Sequence, residues 1–320
     1  MRGLRLMPDP APSPVSSVAV VVVNYNSAPF IEAFCSSLRA SEFPAWRLIV
    51  VDSGSTDGSM ATIEAAFAGC DGFTSIRCDE NIGFAAGANV PFDRGLVDGS
   101  EFVLFLNPDT TLEPDFLAQM VVAADERTIV VPKILYADDH RLISTHAGGF
   151  DWRLGVFRDT FAGRPDGPAT SVRRDDLATA SFCCALVPRQ AFREAGRLDE
   201  RFFMYYEETD WIRRAQASGY RIRYEPSAVI YHRESGSSGG GWMTPFKQYY
   251  ATRNRIYLVR KHARSRLDYA RFTAYFWATR VVTAAKMIAR REWRLLRAMT
   301  MGAIDYYRGR MGRTVQVGDL

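Results

Sequence analysis

The sequence predicts an α/β protein built on a doubly wound, mostly parallel sheet. In residues 18–132, short runs rich in Val, Ile and Leu alternate with stretches of helical character. These runs are apolar at consecutive positions, which is typical of strands buried on both faces. Helical segments between such strands act as crossovers, and crossovers make neighbouring strands parallel.

The predicted elements follow one another along the chain. Strands are predicted at 18–23, 48–51, 73–77, 102–106 and 128–131. Helices are predicted between and after them at about 28–40, 57–68, 84–97 and 114–125. The stretch 133–180 is richer in Gly, Asp and Arg, which indicates irregular structure with a hairpin. Later elements are helices near 188–195 and 208–218, short strands at 221–224 and 228–231, and a helical tail.

Composition limits the class of protein. The chain of 320 residues is 47% apolar and 24% charged, which suits one large soluble domain or a domain of about 250 residues with an appendage. Its five cysteines include no Cys-x-x-Cys pair, so we expect a reducing compartment and no disulfide framework. Residues 1–16 lack the apolar segment of a signal peptide and are predicted to form a disordered leader. No window of 18 apolar residues predicts a membrane span.

The net charge of +4 is distributed unevenly. Residues 253–297 contain 13 Lys or Arg and two acidic residues, whereas residues 1–252 contain 24 basic and 32 acidic ones. We therefore expect two regions, a core at 17–245 and a basic, amphipathic helical C-terminal region at 246–320.

Basic and aromatic residues are interleaved in this C-terminal region. The helical period places Arg260, Arg264 and Arg271 on one face, and Lys286, Arg290, Arg294 and Arg297 on another. Such faces, with Trp277 and Trp293 nearby, are typical of helices on an anionic membrane surface. Helices that pack on the core with a solvated basic face are the open alternative. Nucleic-acid binding is not expected, because no recognition motif accompanies the charge.

Polar loops follow the first four strands, where doubly wound sheets bind their ligands. They are NYNS at 24–27, DSGSTDGS at 52–59, NIGFAAGAN at 81–89 and NPD at 107–109. Turn chemistry explains any one of them, but four in succession favour a nucleotide site. The glycine-rich phosphate cradles of dehydrogenases and P-loop proteins are missing. A metal ion is therefore expected to neutralise a diphosphate, with Asp109 as its best-placed ligand.

The motifs VVVNYNS, VVDSGSTDGS, NIGFAAGAN and FLNPDTTLEPDFL, in this order, resemble the family 2 glycosyltransferases of the GT-A fold. The stretch LDERFFMYYEETDWIRRAQASGYRIRYEPSAVIYH extends the similarity toward the bacterial rhamnosyltransferase-like branch that builds surface polysaccharides. The resemblance implies a GT-A catalytic domain over 17–245. It also implies an inverting, metal-dependent transfer of a sugar from a nucleotide diphosphate donor, with dTDP-L-rhamnose as the best single candidate.

The resemblance further implies residue roles. The residues expected to bind the donor are Asn24, Asn26, Asp52, Ser55, Asn81, Gly83, Asn107 and Arg233. Among these, Asp52 matches the aspartate that bonds the nucleotide base. Asn107 replaces the first aspartate of the Asp-x-Asp signature, which leaves Asp109 as the metal ligand. His232 is expected to reach the same metal, with a purely structural role as its alternative, and the loop at 233–241 is expected to act as a lid.

The catalytic base is expected in the segment Glu207-Glu208-Thr209-Asp210, where the family usually has Glu-Asp-x-Asp. Glu208 occupies the position of the base and is one methylene longer than the usual aspartate. Asp210 is the alternative base, and an acidic first turn of a helix is a simpler explanation of the whole segment.

Cofactor, partners and location follow from the same resemblance. We expect Mg²⁺ or Mn²⁺, a nucleotide-sugar donor, and a glycan or polyprenyl-linked glycan acceptor at the cytoplasmic face of the membrane. Two other functions stay open: a sugar nucleotidyltransferase, although 24–27 lacks its glycine-rich loop, and a non-catalytic binder of glycans or lipid head groups.

Overall fold

The computed structural model describes residues 17–144, 148–158, 161–175, 177–233, 243–316 and 318–320. The predicted leader lies outside the described residues, and so does the predicted lid except for Arg233.

The described strands and helices alternate through the first half of the chain. The strands are β1 (Val18–Asn24), β2 (Trp46–Asp52), β3 (Phe73–Arg77), β4 (Phe102–Leu106), β5 (Thr110–Leu112), β6 (Thr128–Tyr136), β7 (Gly149–Asp151), β8 (Val156–Arg158), β9 (Cys184–Pro188) and β10 (Arg221–His232). The α-helices are α1 (Ala28–Arg39), α2 (Ser59–Ala66), α3 (Gly83–Asp93), α4 (Phe116–Ala123), α5 (Ala191–Glu194), α6 (Glu207–Ala217), α7 (Pro245–His262), α8 (Arg266–Ala289) and α9 (Trp293–Tyr307). The first four predicted strands and helices are confirmed, with ends that differ by four residues at most.

A mostly parallel sheet forms the centre of the fold, in the order β3-β2-β1-β4-β9-β6-β10-β5. Strand β1 shows why its sequence is apolar throughout. Val18, Val20 and Val22 face one apolar layer, and Ala19 and Val21 face the other. Each buried valine stabilises the fold by roughly 1.5–3 kcal/mol, so both layers contribute to holding this strand in the centre.

Two details of the sheet differ from the prediction. The short strands expected at 221–224 and 228–231 are one strand, β10, with an irregularity between Glu225 and Val229. Strands β5 and β9 were not predicted, and both run antiparallel to their neighbours. The predicted helix near 188–195 is reduced to α5, because Pro188 still belongs to β9.

The C-terminal helices pack on the core and on one another. The Tyr249 hydroxyl donates to the Asp305 carboxylate at 2.6 Å, which joins α7 to α9. A side chain at Gly302 would stand 2.4 Å from the Tyr249 carbonyl oxygen, so only glycine permits this close approach. No helix in the described part of the chain is long and apolar enough to cross a membrane.

Each predicted basic face of this region is wrong, because its residues do not lie on a single helix. Residues 263–265 interrupt the helix, so Arg260 belongs to α7 and Arg271 to α8. Residues 290–292 likewise separate Lys286 on α8 from Arg294 and Arg297 on α9. Helical periodicity does not continue across these breaks.

Candidate active site

The first two strand-end loops are joined by the side chain of Asn24. Its amide nitrogen donates to the Asp52 carboxylate at 2.8 Å and to the hydroxyls of Ser55 and Ser59 at 3.1 and 3.0 Å. The other Asp52 oxygen accepts from the Ser55 backbone N–H at 3.1 Å. Asn26, in the left-handed region with φ 49°, accepts from the backbone N–H of Thr56 at 2.9 Å. These contacts make the two loops one rigid wall.

The third strand-end loop packs against the segment that leads into α6. The side-chain Oδ1 of Asn81 accepts from the Gly83 backbone N–H at 2.9 Å. Gly83 has φ 80°, and a Cβ there would lie 2.4 Å from the Phe203 ring and 2.5 Å from the Phe203 carbonyl oxygen. Glycine is therefore required at position 83 both by the backbone conformation and by this contact.

The fourth loop and β10 bring Asp109 beside His232. Antiparallel pairing sets Thr110 opposite His232, and the Arg233 backbone N–H donates to the Asp109 carbonyl at 2.9 Å. The His232 Nε2 then lies 3.2 Å from the Asp109 Oδ1. That oxygen is buried, and no aligned hydrogen bond from the described residues reaches it.

The donor atoms of this pair fit a divalent cation. A carboxylate oxygen and an imidazole nitrogen suit Mn²⁺, and Mg²⁺ commonly takes one or two carboxylates with substrate phosphates and water. Within the described residues no group of three or more His, Cys, Asp or Glu side chains gathers around a metal position. A cation here would thus have two protein ligands and would need a ligand or water to complete its shell.

A cavity of about 430 Å³ lies at the carboxyl ends of these strands. The predicted site residues that line it are Asn81, Gly83, Asn107, Asp109, Glu208 and His232. Those outside its lining are Asn24, Asn26, Asp52, Ser55, Asp210 and Arg233. Asn24, Asp52 and Ser55 bond one another behind its wall, and the Arg233 guanidinium lies 3.8 Å from the Asp138 carboxylate.

Two neighbouring carboxyl groups, Glu207 and Glu208, face this cavity from the first turn of α6. Burial raises the pKa of Glu208 to about 7. Burial and then the charge of Glu208 raise the pKa of Glu207 well above its usual range. Near neutral pH the pair therefore retains at least one proton, and the burial of both groups favours the protonated form.

Asp210, three residues after Glu207 on the same helix, is in a different environment. Its carboxylate is fully buried and bonds Lys261 and His262 at 2.8 Å each and Arg214 at 3.0 Å. Burial raises its pKa, but His262, Lys261 and Arg214 outweigh burial and hold the pKa below its usual range. This arrangement fixes α6 to α7 and gives Asp210 no contact with the cavity.

The segment before α6 has an unusual backbone. Phe203, Tyr205 and Tyr206 have φ angles of 66°, 68° and 73°, a left-handed region that costs side-chain-bearing residues about 1–3 kcal/mol each. Such strain persists only where neighbouring structure enforces it. This segment delivers Glu207 and Glu208 to the cavity, so its conformation decides where both carboxyl groups lie.

Two fully buried residues of α7 enforce that conformation. The Asn254 side-chain amide donates to the carbonyls of Phe202, Met204 and Tyr205 at 2.9, 2.7 and 2.9 Å. The Arg253 guanidinium donates to the Phe202 carbonyl at 2.9 Å and to the Gly312 carbonyl at 2.7 Å. Neither residue was predicted from the sequence, and neither was Lys247, which lines the cavity.

Known glycosyltransferases share this architecture. The mannosyltransferase PcManGT of Pyrobaculum calidifontis, solved in complex with GDP-Man and Mn²⁺, matches 93% of this chain and 90% of its own, with a TM-score of 0.55 and 16% identity. The fold is therefore GT-A-like. The model of glycosyl transferase family 2 matches residues 19–196, so the protein is a glycosyltransferase, and the chain belongs to that family.

Bacterial rhamnosyltransferases are among its relatives. An N-acetylglucosaminyl-diphospho-decaprenol L-rhamnosyltransferase of Mycobacterium tuberculosis is 29% identical over 246 residues, which cover 69% of this chain and 77% of the relative. The dTDP-rhamnosyl transferase RfbF of Shigella flexneri is 20% identical over 258 residues, 77% of this chain and 81% of the relative. The resemblance to the rhamnosyltransferase-like branch of family 2 is thereby confirmed.

Proposed function

We propose that this glycosyltransferase inverts the anomeric configuration of the sugar it transfers, with Glu208 as base and with Mg²⁺ or Mn²⁺ held by Asp109 and His232. One observation carries the proposal. A single cavity is lined by a carboxylate–imidazole pair on one side and by a carboxyl group with a pKa of about 7 on the other. The first suits a diphosphate with its cation, and the second suits a hydroxyl nucleophile.

Glu208 performs the proton transfer in this proposal. An acceptor hydroxyl is a weak nucleophile until its proton leaves, and a base with a pKa near the working pH accepts that proton most effectively. Glu207 keeps its own proton and so leaves Glu208 without a second negative charge beside it. Direct attack from the face opposite the leaving group produces inversion.

On the donor side, Asp109 and His232 position the leaving diphosphate, and a bound cation neutralises the charge that develops on it. Lys247 adds a cationic side chain to the same cavity wall. Asn81 and Gly83 line the cavity beside them, where backbone can approach a sugar or ribose closely.

The donor and acceptor are proposed from the relatives. Their names indicate L-rhamnose, carried by dTDP in one case, and an acceptor linked through diphosphate to a polyprenol in the other. We propose the same classes here, with the protein peripheral to the inner face of the cytoplasmic membrane. Exposed apolar side chains on α8 and α9, namely Trp277, Val281, Val282 and Trp293, support contact with a membrane surface.

The decisive experiment measures release of nucleoside diphosphate and transfer to a polyprenyl-diphosphate acceptor, with Mg²⁺, Mn²⁺ or chelator. We expect dTDP-rhamnose to be consumed with metal only, and the product to be the inverted anomer by NMR. Asp109→Asn should weaken Mn²⁺ binding at least tenfold in a direct metal titration and abolish release. The matched control is Asp138→Asn, an exposed carboxylate that lies outside the cavity lining.

Two outcomes would overturn the proposal. No release from any nucleotide sugar with either metal would leave a protein that only binds glycans. Transfer that needs no metal, at a rate unchanged in Asp109→Asn, would show that the reaction does not use a cation at this site. A sugar nucleotidyltransferase would instead form a nucleotide sugar from a sugar phosphate, and the match to family 2 argues against that activity.

Membrane contact has its own test. Truncation of the C-terminal region is unsuitable, because α7 holds the segment that delivers Glu208. Serine at Trp277 and Val281 should instead reduce sedimentation with anionic vesicles at least fivefold and leave the enzyme folded. Equal sedimentation of this variant and the wild type would contradict the proposed surface.

A further inference from the structure

Two arginines on different helices converge behind the catalytic segment. Arg255 on α7 and Arg280 on α8 both stack on the ring of Phe276, with guanidinium carbons 5.5 and 5.4 Å from its centroid. Arg255 is only 9% exposed. The charge of Arg255 also acts on the Arg280 guanidinium, so the two cations lie within electrostatic range of each other, and Arg255 is the more buried of the two.

This pair has few partners for its charge. Arg255 donates one hydrogen bond, from Nη2 to the Leu154 carbonyl at 2.7 Å. The Nε atoms of both arginines are buried without a hydrogen-bond partner, and neither guanidinium has a carboxylate partner among the described residues. Burial and the charge of Arg255 together lower the pKa of Arg280.

The neighbouring Arg253 shows what a satisfied buried arginine looks like in this protein. Its guanidinium donates to four partners within 2.9 Å, the carbonyls of Phe202 and Gly312, the hydroxyl of Thr314 and the side-chain oxygen of Asn254. Two like charges that are buried or partly buried without an anion are costly, and an anionic ligand would offset that cost. Guanidinium groups match phosphate oxygens through paired hydrogen bonds, so the expected anion is a phosphate or diphosphate.

The position of the pair separates it from the donor side of the cavity. Neither arginine belongs to the cavity lining that contains Asp109 and His232. Both lie near Tyr206, since burial raises the pKa of the Tyr206 phenol and both guanidinium groups oppose that rise. Tyr206 lines the cavity next to Glu207 and Glu208. The pair thus stands behind the catalytic carboxyl groups.

A second, mainly apolar cavity is lined by Arg280 of the pair. Its volume is about 280 Å³, and its lining also includes Trp277, Met299, Ile304, Tyr307 and a second cation, Arg308. The rings of Trp277 and Tyr307 stack with centroids 6.3 Å apart, and both are more than 40% exposed. A ligand that fits the whole arrangement is an amphiphile with a phosphate head and an apolar chain.

We propose that Arg255 and Arg280 bind the diphosphate of a lipid-linked acceptor, whose isoprenoid chain lies in the cavity between α7, α8 and α9. This inference rests on the proposed function and assigns its acceptor site. The head group then enters past Tyr206, which places the acceptor sugar at Glu208 and the lipid at the exposed apolar surface of α8 and α9.

The test titrates the full-length protein with four probes: farnesyl diphosphate, farnesol, inorganic diphosphate and dTDP. We expect farnesyl diphosphate to bind at least ten times more tightly than farnesol or inorganic diphosphate. Arg280→Gln and Arg255→Gln should each lower the affinity for farnesyl diphosphate at least tenfold and leave the affinity for dTDP unchanged. Arg271→Gln, an exposed cation on the same helix as Arg280, is the matched control and should change binding less than twofold.

Three outcomes would overturn the assignment. Farnesol that binds as tightly as farnesyl diphosphate would show an apolar surface without an anion site. Loss of dTDP binding in Arg280→Gln would assign the pair to the donor. Unfolding of Arg280→Gln, measured as a melting temperature several degrees below wild type, would show that the guanidinium is structurally satisfied.

Failure of this inference is distinguishable from failure of the proposed function. Metal-dependent release of dTDP from donor in the presence of water alone needs no lipid acceptor. If that release occurs and the arginine variants bind farnesyl diphosphate normally, only the acceptor site is wrong. If dTDP release is absent while the arginine variants bind farnesyl diphosphate more weakly than wild type, the lipid site is supported and the catalytic proposal is wrong.

Discussion

Replacement of Glu208 by glutamine separates the energetic cost of this carboxylate from its chemical use. Burial raises its pKa from 4.5 to about 7, so the folded protein keeps a proton that the unfolded chain has already released. Folding stability therefore falls as the pH rises from about 4.5 to about 7 and stays lower above that window. At about 1.4 kcal/mol per pKa unit, ionised Glu208 costs the fold about 3 kcal/mol at pH 8.

Glutamine keeps the shape of the side chain and removes the titration. We expect Glu208→Gln to be more stable than wild type by up to about 3 kcal/mol at pH 8, and nearly equal to it at pH 5. Urea unfolding at both pH values measures this difference. Glu126→Gln, a change at an exposed carboxylate, is the control and should stay within about 0.5 kcal/mol of wild type at both. A Glu208→Gln variant without a gain at pH 8 would refute the reasoning.

The same variant tests the chemistry. Loss of a general base typically lowers the rate by about 10²–10⁴-fold, and we expect a fall of that size in kcat. The wild-type rate should fall about tenfold per pH unit below pH 7, because only ionised Glu208 accepts a proton. A stabilised variant with full activity would leave Glu208 as a buried acid without a role in transfer.

Three further substitutions test the surroundings of Glu208. Asn254→Ala removes the side-chain amide that bonds the Met204 and Tyr205 carbonyls and shares the Phe202 carbonyl with Arg253, so we expect at least about 2 kcal/mol lower stability in urea and a fall in kcat larger than the change in donor KM. Asp210→Asn removes the buried negative charge that Arg214, Lys261 and His262 share, although Lys261 keeps its pair with Asp199, and should cost about 3–5 kcal/mol. The folded fraction should keep near-wild-type kcat, and a stable but inactive variant would instead make Asp210 the base. Gly83→Ala forces a Cβ into Phe203 and should lower both melting temperature and kcat; wild-type values for both would contradict the contact.

Much of the core could be predicted because its signals are local. Consecutive β-branched residues predict strands such as Val18–Asn24, and small polar residues predict the loops that follow them. The predicted Asp109 and His232 lie side by side, as expected. Their contact depends on the antiparallel pairing of β5 with β10, which the sequence did not predict. Strand β5 has only three residues, and its antiparallel partner β10 lies more than a hundred positions away.

The parts that could not be predicted depend on long-range contacts. Strand β9 enters the sheet between β4 and β6 after a long irregular stretch, and no local pattern gives its direction. The left-handed backbone of Tyr205 and Tyr206 is likewise enforced from outside, by Asn254. One signal for α7 was available. In KQYYATRNRIYL the aromatic and aliphatic residues fall on every side of the helix, which indicates burial all round rather than a solvated basic face.

Three consecutive residues of α7 give the C-terminal region a direct part in the proposed reaction. Arg253 and Asn254 hold the strained segment before α6, and Arg255 faces the proposed anion site. The peptide backbone joins these contacts rigidly, so an acceptor diphosphate at Arg255 and Arg280 would relieve their repulsion on the same helix turn that fixes Glu208. In this proposal a bound acceptor would further stabilise that turn and so help to hold the left-handed backbone that delivers Glu208. The basic C-terminal region would then form the acceptor half of the active site.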